Sequence, residues 1–118
     1  MPKTTPFDRY LQEYENWFEE NRFIYLSELK ALRTLLPSMG KGLEIGAGSG
    51  IFASALGIRE GCDPSAAMRQ KAKERGINVR DCIAEELPYF DESFDFALMV
   101  TTICFLDDPQ RSLIEIHR

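Results

Sequence analysis

The chain is poor in most features that mark a nucleic-acid binder, a metal site or a membrane segment. It carries 14 Lys and Arg against 19 Asp and Glu, a formal net charge of −5. Lys71, Lys73 and Arg75 stand among acids and form no basic patch. Holding a phosphate backbone takes clustered cations, so no nucleic-acid partner is expected. One histidine and three cysteines are a thin supply of soft ligands. Cys62, Cys82 and Cys104 make neither a CxxC pair nor a zinc spacing. We expect no metal, and we read the cysteines as reduced thiols of a cytoplasmic protein. His117 reads as a surface residue of a helix. No apolar run is long enough to span a bilayer, and "MPKTTPFDRY" lacks the apolar segment of a signal peptide, so no membrane role is expected. Repeats, low-complexity tracts and linkers are absent as well. With 118 residues, 44% hydrophobic and 28% charged, the chain fits one globular domain able to bury a core.

What is present is a change of period along the chain. Over residues 7–35, Phe7, Tyr10, Leu11, Tyr14, Trp17 and Phe18 recur at steps of three and four, the mark of amphipathic helix. Asn21 is placed to cap a second helix with Leu26, Leu29, Leu32, Leu35 and Leu36 as its buried stripe. Pro37 ends it, and "PSMGKG" is a turn. "GLEI" then reads as a short buried parallel strand and "SGIFASAL" as a helix. "REGCD" reads as a second strand, weak in propensity because of its glycine. "SAAMRQKAKERG" is a helix closed by Gly76, "INVRDCIA" a third strand, "EELPYFDES" a loop and "FDFALMVTTICF" a fourth strand. "DDPQRSLIEIHR" opens a last helix. Strands alternating with helices of this length predict βαβ units and a parallel sheet. Residues 1–37 form a helical preface and residues 38–118 the core of the single domain.

The chemistry concentrates in "LEIGAGSGIFA". Ligands of open parallel sheets bind beyond the carboxyl ends of the strands, and a turn there must bring backbone close to the ligand. Gly46, Gly48 and Gly50 remove the Cβ atoms that would block the approach, and the helix that follows would offer N–H groups. The pattern is E-x-G-x-G-x-G. It lacks the third glycine of a dinucleotide fingerprint, because Ile51 stands there, and it lacks the lysine of a P-loop. Glu44 would be awkward beside a pyrophosphate and suits a ligand carrying positive charge.

With these residues in place, "LEIGAGSG" resembles the first motif of class I S-adenosylmethionine-dependent methyltransferases. "GCDPS" is similar to the acid-bearing end of their second strand. "CIAEELPYFDESFDFALM" is similar to their "A-E-x-L-P-F-x-D-x-S-F-D" segment. "YENWF" resembles the N-terminal "Y-D-x-W-F" of the small-molecule branch related to quinone-biosynthesis methyltransferases. The resemblance implies an α/β, Rossmann-like parallel sheet, with strand order 3-2-1-4 taken from a seven-stranded sheet and N-terminal helices before it. It implies S-adenosylmethionine as cofactor, S-adenosylhomocysteine as product and a small-molecule methyl acceptor. Gly46, Ala47, Gly48 and Gly50 would approach the methionine part, with Glu44 orienting the loop and the ammonium. Asp63, followed by Pro64, would accept from both ribose hydroxyls. Ile83 and Ala84, beside Cys82, would flank the adenine. Thr101 and Thr102 would lie near the sulfonium. Tyr14, Trp17 and Phe18 would close over the cofactor as a lid.

Plainer roles remain open for several of these. Glu44 could be a capping or salt-bridging acid, and Asp63 could start a helix. Trp17 and Phe18 equally suit a core, and the threonines could be there for strand propensity alone. Asp91, Glu92, Asp107 and Asp108 read as loop acids and helix starts. Phe105 stands where related enzymes often place an aromatic or histidine, so no general base is expected there, and the catalytic residue stays unassigned. Four of seven strands imply a domain incomplete at its C-terminus, a fragment or a shortened product, able to bind cofactor with or without turnover. The fourth strand would then be an apolar edge. We expect a homodimer or another cover for it. The competing reading is a non-catalytic nucleotide-fold binding or assembly module.

Overall fold

The computed structural model describes residues 11–37, 39–89, 92–100 and 108–117. Two helices, α1 (Leu11–Glu20) and α2 (Arg22–Leu35), precede strand β1 (Gly42–Ile45). There follow α3 (Ile51–Leu56), β2 (Glu60–Cys62), α4 (Ala66–Glu74), β3 (Asn78–Arg80), β4 (Phe96–Met99) and α5 (Pro109–His117). The four strands form one sheet in the order β3-β2-β1-β4, and each neighbouring pair is parallel. The parallel sheet is what the alternating pattern predicts, and its Rossmann-like order is the one the resemblance implies. Glu44 sits at its centre, in register with Gly61 on β2 and Leu98 on β4.

All four residues of β1 are buried, Leu43 and Ile45 on one face and the acid Glu44 between them. Leu43 and Ile45 pack with Ala84, Leu87, Tyr89, Phe94, Met99 and Ile116 on one face. On the other, Leu98 joins Ala53, Ile58, Ala72 and Ile77. Full burial of a side chain such as Ile45 stabilises the fold by about 1.5–3 kcal/mol. The glycine that weakens β2 has a steric reason. A Cβ on Gly61 would stand 2.7 Å from the Cβ of Ala47 in the turn after β1.

Helix ends follow their capping residues. Ser65 Oγ accepts from the Met68 N–H and starts α4. Gly76, at φ 82°, ends it, with Gly76 N–H donating to Lys73 and Ile77 N–H to Ala72, a Schellman closure. Asp108 starts α5 by accepting from the Arg111 N–H. Asn21 behaves otherwise than expected. It makes no side-chain cap for α2, and its Nδ2 donates back to the Trp17 carbonyl, closing α1 instead.

The buried stripe of α2 also differs from the sequence reading. Leu29 is buried and Tyr25, Leu32 and Leu36 are half-buried, whereas Leu26 and Leu35 are exposed. Steps of four and three (25, 29, 32, 36) keep to one side of a helix. The leucines at 26, 29, 32 and 35 step by three throughout and drift off it. Strand β3 is shorter than expected and stops at Arg80. The fourth strand runs Phe96–Met99, shorter than expected; residues 101–107 fall outside the described residues, and Thr101, Thr102, Cys104 and Phe105 with them. Among the described residues β4 pairs on one side only.

One cysteine expectation is corrected. Cys62 and Cys82 are paired, their Cα atoms 5.7 Å apart, within the span a disulfide bridges. The parallel pairing of β2 with β3 brings their carboxyl ends side by side, where Cys62 ends β2 and Cys82 follows β3 closely enough to join it.

Candidate site at the carboxyl end of the sheet

The turn from β1 to α3 is laced onto the end of β2. Cys62 carbonyl accepts from both Gly46 N–H, at 2.7 Å, and Ala47 N–H, at 3.1 Å. Asp63 Oδ2 accepts from Gly48 N–H at 2.9 Å, and its Oδ1 accepts from Ser65 N–H at 2.8 Å. The turn can bend this way because Gly48 lies at φ 58°, left-handed backbone that L side chains seldom adopt. Space is not the constraint at this position. A Cβ on Gly48 would meet only the Tyr14 hydroxyl at 3.6 Å and the Met68 sulfur at 3.8 Å. At Gly50 it is both, since φ is 78° and an added Cβ would stand 3.1 Å from Ile77.

Beneath the turn lies Glu44, 2% exposed. Its Oε1 is the buried side-chain atom left without a partner among the described residues. Burial pushes its carboxyl up to about 8, with the Asp63 charge adding to the rise and a backbone hydrogen bond at Ala53 opposing it. A half-satisfied buried acid is costly, and costs of this kind concentrate where a ligand completes the site. Tyr14 lies over the same turn, its phenol raised well above the usual range. Burial is the main cause, and the charges of Glu44, Glu15 and Asp63 add to it.

The structure therefore brings together Tyr14, Glu44, Gly46, Ala47, Gly48, Gly50 and Asp63. Beside them opens a groove of 570 Å³ lined by Pro64, Asp81, Cys82, Ile83, Glu86, Leu87 and Pro88. Pro64 and Ile83 thus share one groove. Ala84 packs beneath, with Leu43 and Ile45, and is not among the lining residues. Trp17 is half-exposed and meets Phe18 edge-on at 5.2 Å. Phe18 is buried with Leu29 and Phe52 and anchors α1 to the rest of the fold. Thr101 falls outside the described residues. The α3 helix runs only six residues, too short to supply much of the expected N-terminal field.

The sequence reading missed three groups. Arg75, given no role by the sequence beyond standing among acids, turns inward to Glu15 and to the Ser49 carbonyl. Buried Glu85 accepts from Asp108 N–H and receives Arg111 at its own carbonyl. It fixes the segment after β3 against α5. Arg69 donates to the Asp63 carbonyl and pairs with Asp81. Only Glu85 carried a signal, as the acid of the "AE" pair.

S-adenosylmethionine carries a sulfonium and an ammonium beside a sugar and a purine. The residues fit such a group: a buried acid with an unpartnered oxygen, a second carboxylate at the end of β2, a glycine turn at Gly48 under the Tyr14 hydroxyl and an adjoining groove. Residues 43–118 match a family profile described as a methyltransferase domain. An S-adenosylmethionine-dependent methyltransferase of Thermotoga maritima, described as a possible histamine N-methyltransferase, is 56% identical with a TM-score of 0.92. That match covers 95% of this chain and 54% of that one. An uncharacterized protein of Methanocaldococcus jannaschii is 45% identical over 95% of this chain and 54% of its own length. One of Mycobacterium tuberculosis is 36% identical over 100% of this chain and 42% of its own. The chain spans about half the length of the relatives it matches.

Proposed function

The chain belongs to the methyltransferase domain family, and from that premise we propose that it binds S-adenosylmethionine at the glycine turn and serves methyl transfer to a small molecule. The observation that carries this reading is the unpartnered Glu44 oxygen under the glycine turn. A cationic ligand supplies what that acid lacks. When bound, the cofactor supplies a methyl group on a good leaving group. The chain's own work is then alignment and exclusion of water. Asp63 holds the turn and stands at the end of β2, where its carboxylate would accept from a sugar edge. Pro64 and Ile83 line the groove where a purine would lie. Tyr14 covers the turn with a neutral hydroxyl. Because the Thermotoga relative is described as a possible histamine N-methyltransferase, small amines are the first acceptors to try.

The test is titration calorimetry. We expect S-adenosylmethionine and S-adenosylhomocysteine to bind, and NAD and ATP to bind far more weakly. Comparable or tighter NAD binding would overturn the reading.

We further propose that a second copy covers the edge of β4 that is unpaired among the described residues. Among the described residues, Phe96–Met99 carries no charge and no proline, the devices that usually blunt an edge. Light scattering of the 118-residue chain at micromolar concentration should report a mass above the 13.5 kDa monomer. A cooperatively melting monomer would refute this.

A further inference from the structure

Helix α1 reaches the glycine turn through polar contacts that the cofactor motifs do not call for. Arg75, at the end of α4, donates from Nη1 to Glu15 Oε1 at 2.6 Å and to the Ser49 carbonyl at 2.9 Å. Ser49 Oγ donates to Glu15 Oε2 at 3.3 Å. Ser49 lies in the turn between Gly48 and Gly50 and is fully buried, and the Glu15 and Arg75 side chains are 11% and 28% exposed. Three segments far apart in sequence thus meet at one shielded ion pair. Glu15 is the chain neighbour of Tyr14, so fixing Glu15 fixes the direction in which Tyr14 leaves the helix.

We propose that Arg75 and Glu15 form a latch that positions Tyr14 over Gly48 and thereby sets the affinity for the cofactor. The latch rests on the cofactor reading above. Its chemistry suits the place. Tyr14 stands among Glu44, Glu15 and Asp63, and Arg75 is the opposing charge. Engaging Glu15 with Arg75 neutralises one acid beside the phenol and leaves Glu44 and Asp63 to the ligand. Phe18 holds the apolar side of α1 at 5.6 Å from Phe52. With the latch broken the helix stays docked there, while its Tyr14 end is free to lift. Arg75 and Glu15 touch no reacting atom and are positioning residues.

Trp17, the chain's one tryptophan, lies one turn from Tyr14 and reports on the lid. The experiment titrates S-adenosylhomocysteine into wild type, Glu15→Gln, Arg75→Met, the double variant and Arg75→Lys. Acrylamide quenching of Trp17 is measured on each without ligand. Each single neutral variant should bind about tenfold more weakly, the scale of losing a charge-assisted hydrogen bond. The double variant should be no weaker than the worse single one, because partners in one pair are non-additive. Arg75→Lys should recover most of the affinity, and Trp17 should quench more readily in the neutral variants.

Unchanged affinity in both single variants, or fully additive losses, would overturn the latch. A lowered melting temperature with affinity and quenching both unchanged would assign the pair to fold stability alone. Should wild type bind no S-adenosylhomocysteine while quenching still separates the variants, the latch stands and the cofactor reading falls. If Arg75→Met fails to fold, Glu15→Gln and Arg75→Lys still decide the question.

Discussion

Asp63→Ala weakens S-adenosylhomocysteine binding by at least about tenfold and also lowers the melting temperature of the unliganded protein by several degrees. The first effect is the loss of charge-assisted hydrogen bonds to a sugar edge, roughly 1.5–3 kcal/mol each at most and less where water substitutes. At about 1.4 kcal/mol per decade, even one such bond reaches about tenfold. The ribose role that the resemblance implies does not lead one to expect the second effect. As a ribose ligand alone, Asp63 would leave the empty fold unchanged. In the structure both carboxylate oxygens already accept backbone N–H groups, from Gly48 and Ser65. Removing them frees the glycine turn from β2 and leaves two donors to water. A net loss of about 1 kcal/mol shifts melting by a few degrees in a domain of this size. Asp63→Asn separates the two roles. It keeps the shape and one acceptor oxygen but turns an NH₂ group toward a backbone donor. Calorimetric affinity and scanning calorimetry of the free protein check both. An unchanged affinity with a lowered melting temperature would reduce Asp63 to a loop tie.

That correction shows where sequence reading reaches its limit. The glycine turn and the acid after β2 were legible because local chemistry dictates them, whereas the strand order came from the family resemblance. Left-handed backbone demands glycine at 48, and close packing demands it at 50 and 61. Long-range pairings leave no such mark. Arg75 and Glu15 lie 60 residues apart, and each sits on a helix rich in other charges, so each reads as a solvated surface group. Cys62 and Cys82 looked unpaired because nothing in their spacing of 20 residues says that β2 and β3 end side by side. Asn21 was misread for a subtler reason. A residue between two helices can cap the one before it or the one after it, and only the turn geometry decides.

The sequence pointed to Glu44 as a partner for positive charge, and the structure adds its protonation. With the carboxyl raised to about 8 from 4.5, the unliganded fold holds a proton at pH 7 that the unfolded chain has released. The sign follows from linkage. Between roughly pH 4.5 and 8 the folded state binds more protons than the unfolded state, so stability falls as pH rises and levels off above about 8. Each tenfold difference in proton affinity between the two states is worth about 1.4 kcal/mol, so the whole span amounts to a few kcal/mol. Glu44→Gln, neutral throughout, should remove that slope and be the more stable protein at pH 8. Ligand binding should run the other way. A sulfonium or ammonium beside Glu44 favours the carboxylate, so binding expels the proton. Affinity should therefore rise with pH up to about 8, by at most about tenfold per pH unit for one proton. Tyr14 and Asp63 face the same space. Tyr14 stays neutral throughout this window because burial and the neighbouring acids raise its phenol. Calorimetry at pH 7 in two buffers of different ionisation enthalpy then reads the difference directly. Wild type should release close to one proton more than Glu44→Gln, and Glu44→Gln should bind more weakly at pH 8. Equal proton release by the two proteins would mean that no cation reaches Glu44, and the glycine turn would have to hold a different ligand.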